Sequence, residues 1–177
     1  MKTPYQYIIK PAGERYNNEK DGLIVNATMD ETDFKYTNRI GEVVALPVRN
    51  EAKLKVGDKV IVHHNTFRKW FNVKGMLKDS SNFVTGNLFN VGTDMMYAYD
   101  RGEGWTPIED WIFVKPIDKH EEDLWNLDQY ETQVGVVKIA NKWVGKKVFF
   151  DKMCEYKFEI DGEIIYRMRE YDLQLVL

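Results

Sequence analysis

Apolar residues along most of the chain come in short runs, or alternate with polar ones, and turn residues separate the runs. This period-2 signature belongs to strands rather than helices. Residues 5–10, closed by Pro11, form the first predicted strand, and 40–47 and 59–63 follow, the latter entered through Val56-Gly57-Asp58, where Gly57 suits a turn of positive φ. Further strands are predicted at 67–73, 82–85, 95–99, 111–115, 135–140, 147–150, 156–160, 163–168 and 173–177. Asp79-Ser80-Ser81 and residues 90–93 read as turns, and Asp161-Gly162 is the strongest hairpin signal. A single short helix is predicted, at 119–127. One stretch, 17–38, has neither period. Its centre, Gly22-Leu23-Ile24-Val25, is apolar, while Asn17, Asn18, Glu19, Lys20 and Asp21 precede it and Thr28, Asp30, Glu31, Thr32 and Asp33 follow. A loop of this length in a compact domain is functional or disordered. Leu23, Ile24 and Val25 are therefore candidates for docking into a partner's groove; the alternative is a hairpin tip that packs back on its own domain.

The strand pattern repeats in order. Ile8-Ile9-Lys10-Pro11 returns as Phe113-Val114-Lys115-Pro116, Gly41-Glu42-Val43-Val44 as Gly135-Val136-Val137-Lys138, and Val56-Gly57-Asp58-Lys59-Val60 as Val144-Gly145-Lys146-Lys147-Val148. Asp94-Met95-Met96-Tyr97 is echoed by Glu163-Ile164-Ile165-Tyr166. Each match alone is weak, but the shared order predicts a duplication whose second copy has shorter loops.

Composition narrows the function classes. The chain has 177 residues, 44% hydrophobic and 14% aromatic, enough for one large all-β domain or two small ones. A net charge of −3 shows no basic excess for nucleic acid. Cys154, the sole cysteine, excludes an internal disulfide and a cysteine-built zinc site, and reads as a small apolar residue of a strand in a reducing compartment. The chain opens without an apolar leader, and no run is long enough to cross a bilayer, so a soluble, cytoplasmic protein is expected.

Taken in order, these residues resemble the GroES-type co-chaperonins, the chaperonin-10 family. The resemblance rests on an opening strand ending at Lys10-Pro11 and a polar loop holding Gly22-Leu23-Ile24-Val25. It continues through Arg39-Ile40-Gly41-Glu42-Val43-Val44-Ala45-Leu46 and Leu54-Lys55-Val56-Gly57-Asp58-Lys59-Val60-Ile61-Val62. Gly162-Glu163-Ile164-Ile165 and Glu170-Tyr171-Asp172-Leu173-Gln174-Leu175-Val176 are similar to the family's closing hairpin and last strand. The resemblance implies an all-β, GroES-like β-barrel, duplicated here: a first unit over 1–107 with a mobile loop at 17–38 and an insertion at about 72–93, and a shortened second unit over 108–177. One barrel interrupted at about 67–134 is the alternative architecture. The implied function is that of a homo-oligomeric, heptameric ring that caps a GroEL-type, ATP-dependent chaperonin over an unfolded client protein. Gly22, Leu23, Ile24 and Val25 would contact the chaperonin, and neither enzyme activity nor cofactor is implied. The insertion and the divergence are closest in style to a cap encoded by a bacterial virus for use in its host's cytoplasm. The segment 118–133, in the place of a second loop, interleaves Leu124, Trp125 and Leu127 with acids and lacks the Gly-Leu-Ile-Val tip.

Other chemistries have weaker signals. His63 and His64 are adjacent, so in a strand they would point to opposite faces and not share a metal. His120 beside Glu121, Glu122 and Asp123 reads first as a solvated acidic turn. No phosphate-binding Gly-rich loop, His-Glu-x-x-His or nucleophile elbow is present. Phe67, Trp70, Phe71, Phe83 and Phe89, with Lys53, Lys55, Arg68, Lys69, Lys74 and Lys78 nearby, would form a base-stacking platform in a single-stranded nucleic-acid binder. The remaining alternative is a structural or assembly module that has the barrel without the chaperonin contact.

Overall fold

In a computed structural model the chain divides into two compact units, Met1–Ile108 and Glu109–Leu177. The structure describes residues 2–16, 19–20, 23–24, 37–118, 130–160 and 162–177, and among these every regular element is a strand except two single 3-10 turns, Thr93–Met95 and Glu170–Asp172. The chain is all-β. The helix expected at 119–127 lies outside the described residues.

The first unit contains β1 (Lys2–Thr3), β2 (Tyr7–Pro11), β3 (Glu19–Lys20), β4 (Leu23–Ile24), β5 (Ile40–Pro47), β6 (Lys59–Val62), β7 (Lys69–Phe71) and β8 (Leu77–Asp79). It continues with β9 (Phe83–Thr85), β10 (Leu88–Val91), β11 (Met96–Asp100) and β12 (Thr106–Pro107). Period-2 burial explains the main sheet: β5 turns Gly41, Val43, Ala45 and Pro47 inward, and β10 buries Phe89 and Val91. Val43, Phe89 and Val91 meet Tyr7, Ile9, Val60, Val62, Phe67 and Met96 in one core. The pairing path is β12-β11-β6-β5-β2-β10-β9, with β1 running parallel to β5 off this path.

The second unit contains β13 (Trp111–Asp118), β14 (Tyr130–Ile139), β15 (Lys147–Phe150), β16 (Tyr156–Ile160), β17 (Glu163–Arg169) and β18 (Leu173–Val176). They pair in the order β16-β17-β13-β14-β15-β18 around Ile112, Val114, Val137, Val148, Phe150 and Met168.

Neither path returns on itself, so the described strands form open sheets and the barrel closure expected from the sequence is not among them. The ends of the first path give a physical reason. β9 has three residues and β12 two, and Pro107 brings no N–H to a further ladder.

The two sheets share a register residue for residue. In β2–β5, Pro11 faces Gly41, Lys10 faces Glu42 and Ile9 faces Val43; the ladder then skips Val44 and sets Ile8 against Ala45. In β13–β14, Pro116 faces Gly135, Lys115 faces Val136 and Val114 faces Val137; the ladder skips Lys138 and sets Phe113 against Ile139. Gly41 faces Val60 as Gly135 faces Val148. A second bulge matches too: Ile61 and Val62 face Ala98 and Met96, skipping Tyr97, while Phe149 and Phe150 face Leu175 and Leu173, skipping Gln174. Tight turns precede β6 and β15, with Gly57 at φ 92° and Gly145 at φ 82°.

Three sequence expectations change. The fourth repeat pairs the wrong segments: by register β11 corresponds to β18, each entered through its 3-10 turn, and β10 corresponds to β17. Asn90 and Val91, read as a turn, belong to β10, which pairs with β2 inside the main sheet. Part of the segment 72–93 is therefore integral to the first unit. Finally, of the run 67–73 only Lys69–Phe71 is strand, and Phe67 enters the core from outside any strand.

Candidate partner-docking loop

β2 and β5 are antiparallel neighbours, so the chain between them leaves and re-enters the body at one place. Both feet are pinned there. Asn38 N–H donates to Arg15 O at 2.9 Å, Ala12 N–H donates to Ile40 O at 2.9 Å, and Tyr16 and Thr37 form an antiparallel bridge. The Asn38 amide donates to Glu14 O at 2.9 Å, and its Oδ1 accepts from Ile40 N–H at 2.9 Å. Side-chain oxygens and amides of Asn serve in this way where a ladder ends, because they replace the backbone partners that the departing chain no longer offers.

Arg15 holds the first foot against the rest of the unit. Its Nε and Nη2 donate to Phe67 O at 3.0 and 2.8 Å, its Nη1 meets Asp79 Oδ1 at 2.7 Å, and its guanidinium lies 4.9 Å from the Phe89 ring centroid. Next to it, Tyr16 Oη accepts from Lys69 N–H at 2.5 Å. Arg15 and Tyr16 carried no motif, since the hydrogen-bond partners of their side chains lie more than fifty residues away.

Between these feet Leu23–Ile24 is a short strand, with Leu23 facing Lys20 and Ile24 facing Glu19. The dipeptide that separates the two strands in sequence, Asp21-Gly22, is among those favoured in two-residue hairpin turns, a signal that could have revealed the ladder. Of the four predicted contact residues, Leu23 and Ile24 are thus placed in one strand, and Gly22 and Val25 lie outside the described residues.

The alternative sites look different in three dimensions. Phe67 and Phe89 are fully buried, their rings 4.9 Å apart and edge-to-face, so neither offers a face to a base. Trp70 and Phe71 are half exposed on β7, and the five aromatics form no continuous platform. His63 and His64 follow the end of β6 rather than lying in it, and their rings are 4.1 Å apart instead of on opposite faces; His63 Nδ1 accepts from Asn65 N–H at 3.1 Å. No group of three or more His, Cys, Asp or Glu among the described residues is placed to hold a metal ion. His120, Glu121, Glu122 and Asp123 lie outside the described residues. Cys154 sits in the turn before β16, not in a strand, half-buried against the second core. Burial, reinforced by Asp172, Glu155 and Asp151, pushes its thiol up to about 11.

A shallow depression of about 410 Å³ is formed by Lys55, Val56, Gly57, Asp58, Lys59 and Asp100–Gly102, and its floor is an ion pair. Asp58, 4% exposed, accepts from Lys55 N–H at 2.8 Å and from Arg101 Nε and Nη2, and Arg101 also donates to Lys53 O at 2.8 Å. Asp58 and Arg101 thus satisfy each other and the turn backbone, which is how a turn is tied down rather than how a ligand site is left open.

No helix among the described residues is long and apolar enough to cross a membrane. The fold and site thus define an all-β chain of two units of shared register, with a foot-pinned loop between the first unit's central strands. No protein-family model and no curated protein matches the chain.

Proposed function

We propose that the chain is a co-chaperonin of the chaperonin-10 type, built as a tandem duplication, that caps a GroEL-type chaperonin as a homo-oligomeric ring and assists the folding of a client protein. The observation that carries this reading is the loop. It leaves between β2 and β5 from feet pinned by Arg15, Tyr16 and Asn38, and within it Leu23–Ile24 pairs with Glu19–Lys20. Gly22, Leu23, Ile24 and Val25 are the contact residues. The matched registers of the two units support the duplication, with each unit a version of the family fold whose pairing path stays open. The shared order of motifs supports the family.

The energetics suit a ring. Burying three aliphatic side chains provides ~5 kcal/mol gross, at roughly 1.5–3 kcal/mol each, and ordering a long loop offsets much of it. One loop binds weakly. Several loops carried by one assembly convert weak contacts into avidity, because each docking raises the effective concentration for the next. A heptamer is the form the resemblance implies, and the divergence and the insertion are closest in style to a cap encoded by a bacterial virus for its host's cytoplasm.

The test is native-size analysis of the protein mixed with a GroEL-type chaperonin and nucleotide, for the wild type and for Leu23→Ala, Ile24→Ala and Val25→Ala combined. A nucleotide-dependent complex that the triple variant loses, with its own fold and oligomeric state unchanged, is the expected result. A folded oligomeric wild type that forms no complex with the chaperonin of its host overturns the reading in favour of a structural or assembly module.

A further inference from the structure

Most of the exposed large apolar side chains described in the first unit fall between residues 70 and 84. Five of them belong to one hairpin: Trp70, Phe71, Val73, Met76 and Leu77. β7 and β8 pair only with each other among the described strands, so the hairpin joins neither larger sheet. An isolated two-stranded hairpin is marginal in water, yet this one is held at both ends. At the tip, Asn72 Oδ1 accepts from Lys74 N–H and Met76 N–H, each at 3.0 Å, and Gly75 N–H donates to Asn72 O at 2.8 Å. At the base, Arg15 grips Asp79, Tyr16 accepts from Lys69 N–H, and the Trp70 indole donates to Asp79 O at 3.1 Å. A rigid frame that keeps apolar side chains in water is a preformed docking surface, because little order is lost when a partner arrives.

Charge identifies the partner. Lys69, Lys74 and Lys78 ride on the hairpin, and its one carboxylate, Asp79, is taken by Arg15, so the surface is cationic on a chain of net charge −3. Val73, Met76 and Leu77 stack on no base, which favours polypeptide over single-stranded nucleic acid. We propose that the β7–β8 hairpin is a docking surface for an extended, acidic and apolar-rich segment of a non-native polypeptide. It acts apart from the loop, and its test uses no chaperonin, so its failure and that of the capping reading are separable.

The probe is fluorescently labelled α-lactalbumin, an acidic chain held unfolded by reduction and carboxamidomethylation, titrated with the full-length protein and followed by anisotropy. Trp70→Ser, Phe71→Ser and Met76→Ser together should weaken binding about tenfold, the scale of losing an interface anchor. Lys69→Glu, Lys74→Glu and Lys78→Glu together should weaken it comparably and strengthen binding of lysozyme unfolded in the same way. Val73→Asp, at a fully exposed side chain, should reduce affinity severalfold and leave the stability of the fold unchanged. An unbound probe, unchanged affinity in Val73→Asp, or displacement of the probe by oligo-dT or by anionic vesicles each overturns the proposal.

Discussion

Asp58 and Lys146 stand at the same place in the two sheets, each accepting at its carbonyl the N–H of a valine in the preceding strand, Val43 in β5 or Val137 in β14. Their side chains do different work. Asp58 is buried beneath Arg101 and receives the Lys55 N–H, whereas Lys146 is exposed. Asp58→Ala would leave Arg101 and the Lys55 N–H without their acceptor, at a cost of about 2–3 kcal/mol once the partly exposed guanidinium is allowed for. Lys146→Ala should stay within about 0.5 kcal/mol. Urea denaturation of the two variants checks the contrast. Gly57 was legible as a turn residue from its neighbours alone. The burial of Asp58 was not, because Arg101 reaches it from another strand's end. Gly41 and Gly135 show the same limit: a Cβ would meet Ile9 Cγ2 at 2.4 Å in one and Val114 Cγ1 at 2.3 Å in the other, approaches that only the strand pairing creates.

Among the elements, β5 was legible from alternation and β14 from Gly135 onward, but the first half of β14, which begins at Tyr130, and β10 were not. Asn-Leu-Phe-Asn-Val-Gly is short and bounded by turn-forming residues, so local chemistry argued for a turn; pairing with β2 overrode it and set Phe89 against Ile9. The consequence is measurable. Phe89→Ala should destabilise the first unit by about 3–5 kcal/mol, the range for emptying a core aromatic site. Phe83→Ala, on the neighbouring short strand and over a third exposed, should cost well under half of that. Equal effects in denaturant titrations would mean that β10 is peripheral. At the loop, Leu23 and Ile24 stand out in the sequence from polar flanks, whereas the Arg15 clamp depends on a carbonyl and a carboxylate remote in sequence.

On the scale of the whole molecule, each unit has a core of its own, one around Val43 and Phe89 and the other around Val114 and Phe150. Removing packing from one should therefore act locally. Val137→Ala is expected to speed amide exchange throughout β13, β14 and β15 and leave β2, β5 and β6 protected as before; acceleration in both sets would show one cooperative unit. Sequence by itself determined the all-β class, the positions of most strands and the three repeated motifs that the registers match, because alternation and turn chemistry are local properties. Tertiary structure alone decided that the sheets stay open, that β11 answers β18, that Phe67 and Phe89 are core, and that a hairpin of apolar and lysine residues is left uncovered. Those outcomes depend on which strands meet across long stretches of chain, and a period of two residues carries no information about the partner.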